Sequence, residues 1–536
     1  MEESDTYLEE ILGLSVQTNM RPTTPTVSSL DSISTVMDLM TKENVGSVVV
    51  LEKDHPVGII TEKDVLQRVV RPGKDLELTL VKDAMSKPLV TIEAERSIAD
   101  ALETMLKHNI RRLIITRDGS LIGLTTEKRL LEIVYGHYMM KDYRLPKTAI
   151  DYEANRIRAA YVSTYPPREC GIATYTRDLV DAISTLRARA VKSPAVIAVN
   201  DRIGHYNYGT AVKFQIDADE IESYEKAAEY INGSDIDIVN LQHEYGLFEG
   251  VWGEHVITFL ERLEKPVITT LHTVLQEPVP DARRVLERIL EHSDSVVVMA
   301  RIGVQMLEDL YGGFADKIRY IPHGCPNVPH IATAMPRQSL GLKDRVVMST
   351  FGLLSSGKGI EYVIEALPQV VEENPQTLYL IIGETHPEVR KREGETYRES
   401  LLNMVDSLGL QKNVRFVNRF LYESELIMYL QATDIYIIPY PNREQISSGT
   451  LSYALSTGKA IVTTPFLHAE EVIYNGAAME CEFKNPNSIA DSVVTLLKDN
   501  EIRQRLEKRA YEYSRDMIWP NVGMKYVNLF YHTLGL

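Results

Sequence analysis

Phe351-Gly352-Leu353-Leu354-Ser355-Ser356-Gly357-Lys358-Gly359-Ile360 closes an apolar run that begins at Val346 and opens an amphipathic one. Small residues followed by lysine at a strand-to-helix junction let backbone N–H groups and one ammonium approach a diphosphate. The loop is not a P-loop, which needs Ser or Thr after its lysine, whereas Gly359 follows Lys358 here. On both sides, short apolar runs alternate with helical periodicity. Strands are expected at 159–162, 195–198, 236–241, 267–271, 295–299 and 318–321, then at 346–351, 378–382, 414–416, 435–438 and 460–463. This alternation predicts an α/β protein with two parallel sheets, separated by a break near 330–342. Ligands of such sheets sit beyond the carboxyl ends of the strands, so a cleft between the two halves is the expected site.

Polar residues fall at several of those strand ends. Gly171 permits a tight turn before a helix expected from Thr174. His243 and His272 each end a strand, where histidine can donate to a substrate hydroxyl or steady a developing charge; a packed rim residue is the plain alternative. Glu244 suits a sugar hydroxyl or the cap of the next turn. In the second series His386 and Arg419 follow strands, whereas Arg390, Arg392 and Arg398 read as a solvated helix face. Ser448, Gly449 and Thr450 open a helix whose first amides would point at an anion.

A chain of 536 residues predicts three to four packed units. Lys and Arg number 58 against 75 Asp and Glu, and the net charge of −17 disfavours nucleic acid and anionic membrane surfaces as partners. Cys170, Cys325 and Cys481 lie far apart without C-x-x-C spacing, which argues against a disulfide framework or structural zinc and for the reducing cytoplasm. The acidic start, Met1-Glu2-Glu3-Ser4-Asp5, is unlike a signal peptide, and no apolar run is long enough for a transmembrane segment.

Near the N-terminus the sequence repeats. Gly58-Ile59-Ile60-Thr61-Glu62-Lys63-Asp64 matches Gly123-Leu124-Thr125-Thr126-Glu127-Lys128-Arg129, and Val48-Val49-Val50 matches Leu113-Ile114-Ile115. Units this short bury little surface alone, so the two copies should pack together. These residues resemble a CBS-domain pair. The resemblance implies an adenine nucleotide (AMP, ADP or ATP) as regulatory ligand, with Thr61 and Asp64 at the ribose and Thr126 and Arg129 at the second site. Arg129 stands where the family has Asp, which leaves one competent site. An empty pair serving only as a dimerising scaffold is the alternative.

From about residue 156 onward the chain resembles a GT-B glycosyltransferase of family 4. The resemblance rests on the order of Gly171, His272, Ile321-Pro322-His323-Gly324, the 352–359 loop, the strand before Pro439 and the helix from Gly449 to Gly458. It implies a nucleotide-sugar donor, a GDP- or UDP-hexose, held by Gly352, Lys358, Arg419, His386, Ser448, Gly449, Thr450 and Tyr453. It implies an acceptor side at Gly171, His243 and Glu244, and catalytic roles for His272, Lys358 and Gln445. Three positions depart from the family: Leu353 replaces an Arg, and Gln445 and Tyr453 replace two Glu. Retaining transfer needs chiefly a well-placed phosphate leaving group, so loss of the first Glu weakens catalysis without excluding it.

The domains expected are an extension at 1–16, a CBS pair at 17–138 (repeats 17–72 and 80–138) and a linker at 139–157. An acceptor domain at 158–335, a donor domain at 336–515 and a terminal segment at 516–536 crossing back to the first GT-B domain follow. The expected function is retaining, metal-independent transfer of a hexose, mannose or glucose, to a carbohydrate acceptor, with adenine-nucleotide control and homodimerisation through the CBS pair. A catalytically silent sugar- or nucleotide-binding regulator and a sugar phosphorylase are the alternatives.

Overall fold

The computed structural model describes residues 15–16, 25–42, 45–53, 55–108, 110–127, 130, 156–185, 191–201, 206–329, 333–421 and 423–536. Arg129 and nearly all of the expected N-terminal extension and linker lie outside them. The chain forms two compact units, Met1–Thr148 and Ala149–Leu536.

In the first unit β1 (Thr26–Ser28), β2 (Ser47–Glu52) and β3 (His55–Thr61) form one sheet, with β1 parallel and β3 antiparallel to β2. Strands β4 (Thr91–Glu93), β5 (Arg112–Arg117) and β6 (Ser120–Thr126) repeat it. The repetition reaches the hydrogen-bond register: Ser47 faces Thr61 as Arg112 faces Thr126. Each hairpin carries its irregularity at the same place, between Val50 and Leu51 and between Ile115 and Thr116. Because side chains alternate faces, this shared register keeps Val48, Val50 and Ile60 in one lobe and Leu113 and Ile115 in the other fully buried. Helices Ile33–Lys42 and Ile98–His108 bury Ile33, Val36, Met40 and Ile98, Ala101, Met105 against these sheets. A separate cluster of Val49, Ile114 and Leu124 joins the lobes, providing burial that neither short copy achieves alone.

The second unit contains two parallel sheets. The first comprises β7 (Ala159–Ser163), β8 (Ala195–Asn200), β9 (Val212–Asp217), β10 (Ile238–His243), β11 (Val267–Leu271), β12 (Ser295–Val298) and β13 (Ile318–Tyr320). Its strand order is β13-β12-β11-β10-β7-β8-β9. The second comprises β14 (Val346–Phe351), β15 (Thr377–Ile382), β16 (Val414–Val417), β17 (Ile435–Ile438), β18 (Ala460–Thr463) and β19 (Met479–Glu480), in the order β16-β15-β14-β17-β18-β19. Central strands such as β10, β11 and β17 are buried along their whole length, which is why they read as continuous apolar runs. Strand β9 escaped that reading because it alternates exposed and partly buried residues at a sheet edge. The helix after β7 starts at Gly171, not Thr174, and a short helix, Ala334–Ser339, occupies the expected break.

Chain order reverses between β7 and β10 in one sheet and between β14 and β17 in the other. Loops leaving adjacent strands diverge at such points and open a crevice. The last helix, Trp519–Thr533, packs on Gly171–Thr185 of the first sheet layer. Its Tyr526 phenol lies 3.1 Å from the Tyr175 phenol and 2.9 Å from the Thr270 hydroxyl, all buried. Gly324 makes room for this return: a β-carbon there would lie 2.2 Å from the Trp519 indole. Backbone bonds from Cys325 N–H to Met517 O (2.8 Å) and from Trp519 N–H to Cys325 O (2.9 Å) fix the crossing beside His323.

Candidate functional site

The loops leaving β7, β10, β11, β14, β15 and β17 line a cleft of about 1090 Å³ between the two sheet layers. One wall carries Gly171, Glu244, His272 and His323; the other carries Gly352, Lys358, His386, Arg419, Gln445, Ser448, Gly449, Thr450 and Tyr453.

The lysine is placed by backbone geometry. Ser356–Lys358 form a single tight turn, and Gly359 takes a left-handed conformation (φ 65°) to start the helix Ile360–Glu373. A β-carbon on Gly359 would lie 2.1 Å from Pro439 O, so the turn presses on the loop after β17. Lys358 Nζ then donates to the Tyr440 hydroxyl at 3.1 Å and lies 4.7 Å from that ring's centre. The same hydroxyl is 2.9 Å from Thr450 Oγ1 and 3.4 Å from Ser448 Oγ. Burial pushes the Tyr440 phenol up, but the Lys358 ammonium and the bonds from Ser448, Thr450 and Lys358 outweigh it and hold it below its ordinary pKa. Ser448 caps the helix Gly449–Ser456 by accepting from Leu451 N–H. One ammonium, three hydroxyls and a helix N-terminus therefore converge on one spot, the chemistry of an anion cradle.

Histidines support this wall and the facing one. His468 lies behind the cradle, where its Nδ1 accepts from Ser448 N–H at 2.9 Å. His323 Nδ1 donates to Gly324 O at 2.7 Å, so Nε2 keeps its lone pair, 3.5 Å from where a β-carbon on Gly449 would be. Gln242 gives its amide N–H to Asn240 Oδ1, which leaves its oxygen to accept from His272 Nε2 at 2.8 Å. His272 thus also keeps a lone pair, on Nδ1.

His243 departs from the expectation. In the β10–β11 register it pairs with Leu271, one residue before His272, so the two histidines point to opposite faces of the sheet. Its ring is fully buried against Phe248 and Tyr245 and does not line the cleft. Glu244 does line it, although its carboxylate is engaged by the Thr273 hydroxyl (2.6 Å) and Tyr245 N–H (3.0 Å). Gln445 is exposed and donates to Ser447 O within its own loop. Arg419 is paired with Glu425.

Several cleft residues gave no sequence signal. Asp178, on the helix that starts at Gly171, holds Arg177 at 2.6 Å; burial, together with Glu423 and Asp181, pushes its carboxyl up to about 7 against the pull of Arg177. Glu169 is likewise raised, by burial and by the Glu384 carboxylate of the opposite layer. Lys391 and Asp201 form an ion pair across the layers at 3.6 Å.

Burial holds His243, His272 and His468 at about 3 and His323 at about 4. These four histidines therefore bind fewer protons in the folded chain than in the unfolded chain between about pH 6.5 and pH 3, an effect that the proton retained by the raised Asp178 carboxyl offsets only in part. Stability is expected to fall as the pH drops through that window, by up to about 1.4 kcal/mol per pH unit per histidine. Denaturant midpoints measured at pH 7 and pH 5 check this, and equal midpoints would contradict it.

In the first unit Asp64 completes a capping box: it accepts from Thr61 N–H and the Thr61 hydroxyl, while Thr61 accepts from Asp64 N–H. Its other oxygen takes the Ser86 hydroxyl at 2.9 Å and Arg68 at 3.3 Å. Asp64→Ala is expected to cost about 1–2 kcal/mol in that lobe, read as faster amide exchange across β3 and the following helix. Thr126 ends β6.

Two parallel, helix-covered sheets that face a common cleft, with the last helix returned to the first sheet, define the GT-B architecture. Solved structures agree: HepE of Anabaena, in complex with UDP, superposes with a TM-score of 0.55 at 15% identity over 70% of this chain and 100% of that one. Sucrose-phosphate synthase of Thermosynechococcus elongatus gives 0.55 at 18% identity over 71% and 100%. Residues 334–513 match the family described as Glycosyl transferases group 1, and residues 12–71 and 81–136 each match the CBS domain. The CBS domain-containing protein YhcV of Bacillus subtilis is 34% identical over 110 residues, 20% of this chain and 78% of that protein. A D-inositol 3-phosphate glycosyltransferase of Corynebacterium efficiens is 25% identical over 284 residues, 49% of this chain and 65% of that enzyme. The chain spans about half to two thirds of the length of most of the curated relatives it matches. It belongs to the CBS-domain proteins and joins that pair to a group 1 glycosyltransferase module.

Proposed function

We propose that the chain transfers a hexosyl group from a nucleoside-diphosphate sugar to a carbohydrate acceptor with retention, under adenine-nucleotide control. The observation that carries this reading is the convergence of Lys358, Tyr440, Ser448 and Thr450 at the start of the helix Gly449–Ser456. A departing diphosphate gathers negative charge as the sugar–oxygen bond breaks, and fixed donors at that point lower the barrier. The sugar's anomeric carbon exchanges its bond to the phosphate oxygen for one to the acceptor oxygen on the same face, and the acceptor's proton passes to the leaving phosphate. Neutral His272 and His323 offer lone pairs to sugar hydroxyls. Gly171 and Glu244 lie on the wall that would receive the acceptor.

UDP-hexoses are the donors to try first, because the Anabaena neighbour was solved with UDP and with UDP-glucose; GDP-mannose follows. At the CBS pair a ribose would compete with Ser86 and Arg68 for Asp64. The silent-regulator reading draws support from Gln445, whose amide stands at the place of a family carboxylate and is turned to its own loop. Incubation with UDP-glucose or GDP-mannose and mixed saccharide acceptors separates the readings. Acceptor-dependent release of nucleoside diphosphate is expected; binding without release leaves the silent regulator, and phosphate consumption the phosphorylase.

A further inference from the structure

Of the two tryptophans in the chain, Trp519 is buried and Trp252 is 39% exposed. Trp252 is held in left-handed backbone (φ 56°, ψ 32°) between Gly250 (φ 87°) and Gly253 (φ 78°). A bulky L-residue is strained in that conformation, because its β-carbon crowds the following carbonyl oxygen. The turn that imposes it is firmly built. Leu247 N–H donates to Glu244 O, His255 N–H to Glu249 O and Val251 N–H to Glu254 Oε1. A β-carbon on Gly253 would lie 2.8 Å from Tyr245 O and 3.0 Å from Phe248 O. The indole stands edge-on to Tyr245, ring centres 5.4 Å apart at 86°. Val251 is exposed beside it, and Val279 is exposed at the start of the helix against which the turn packs. The same run of chain reaches the cleft, where Glu244, Gly246 and Leu247 line the acceptor wall.

Strain is thus spent on holding a partly exposed indole in the turn that directly follows the cleft-lining Glu244, Gly246 and Leu247. The charges around it select the occupant. Glu249 is exposed in the turn, and Glu254 and Asp281 share Arg284 beside it. These carboxylates repel an anionic lipid surface and accept hydrogen bonds from hydroxyls. A flat apolar face bordered by hydroxyl acceptors suits the C–H face of a pyranose ring. We infer that Trp252 is the platform for a distal sugar ring of the acceptor, which is therefore a saccharide of more than one ring. The inference deepens the transferase reading and rests on it for the acceptor's role.

Full-length wild-type and Trp252→Gly chains, the glycine accommodating the positive φ, are titrated with maltotriose, cellotriose and mannotriose by tryptophan fluorescence and calorimetry. A saturable emission change with at least one trisaccharide is expected, with affinity reduced at least tenfold in Trp252→Gly and largely restored in Trp252→Tyr. Absence of saturable binding to all three, or equal affinity in wild type and Trp252→Gly, overturns the inference. So does Trp252-dependent sedimentation with phosphatidylglycerol vesicles, which would make the turn a membrane contact. UDP binding by the same samples is scored separately: its loss in wild type counts against the donor reading, while the trisaccharide titrations still decide the platform.

Discussion

Replacing Lys358 by Ala is expected to weaken UDP binding about 10²-fold and to lower turnover by a further factor of about 10, without changing thermal stability. A hydrogen bond to a charged group is worth about 1.5–3 kcal/mol, and each 1.4 kcal/mol is tenfold in affinity. The additional loss in turnover arises because the ammonium interacts most strongly with charge that develops during transfer. Lys358→Arg should not rescue the loss. The lysine tip lies 3.5 Å from where a β-carbon on Gly352 would be and 3.1 Å from the Tyr440 hydroxyl, a space fitted to a compact ammonium rather than a planar fork. Calorimetric titration with UDP reads this directly, and unchanged affinity in Lys358→Ala would remove the cradle from the account.

The second large effect is structural in origin. Gly383 has φ 129°, and a β-carbon there would lie 2.0 Å from Gly352 O and 2.9 Å from Gly352 C. Because the obstacle is backbone, Gly383→Ala must push away the loop that carries Lys358. A cost of about 3 kcal/mol is expected from overpacking and the forced conformation together, with UDP affinity reduced at least ~10²-fold. Gly394→Ala is the matched control. Gly394 also has positive φ (66°), but nothing lies within 4 Å of where its β-carbon would be, so only about 1 kcal/mol of conformational cost applies and UDP binding should be retained. Equal effects in the two variants would show that the close approach of Gly383 to Gly352 is immaterial.

Much of the architecture was legible because the physics behind it is local. Buried parallel strands must be apolar along their length, so β10, β11 and β17 announce themselves, and the repeat announced itself through matched residues that share one hydrogen-bond register. The strand-to-helix junctions at Lys358 and at Ser448, Gly449 and Thr450 were legible as anion-binding turns from their small residues, hydroxyls and lysine, and the fold brings them to one wall of the cleft. What stayed hidden depends on register and on distant packing. His243 and His272 look equivalent as strand ends, yet a one-residue offset in pairing turns one into the core. Tyr440 and His323 follow strands, and a rule treating every polar strand end as a cleft candidate would have found them. Asp178 carries no such mark, because its perturbed carboxyl arises first from burial and then from charges that include Glu423, far away in sequence. Trp252 shows its role only through backbone conformation, which its flanking glycines hint at and do not specify.

The central claim, a nucleoside-diphosphate-sugar site built on the Lys358 cradle, is tested most directly by calorimetric titration of the full chain with UDP-glucose and GDP-mannose, wild type against Lys358→Ala. Saturable binding of at least one donor, weakened about 10²-fold by the substitution, is the predicted result. Failure of the wild type to bind either donor, or binding indifferent to Lys358, would contradict it.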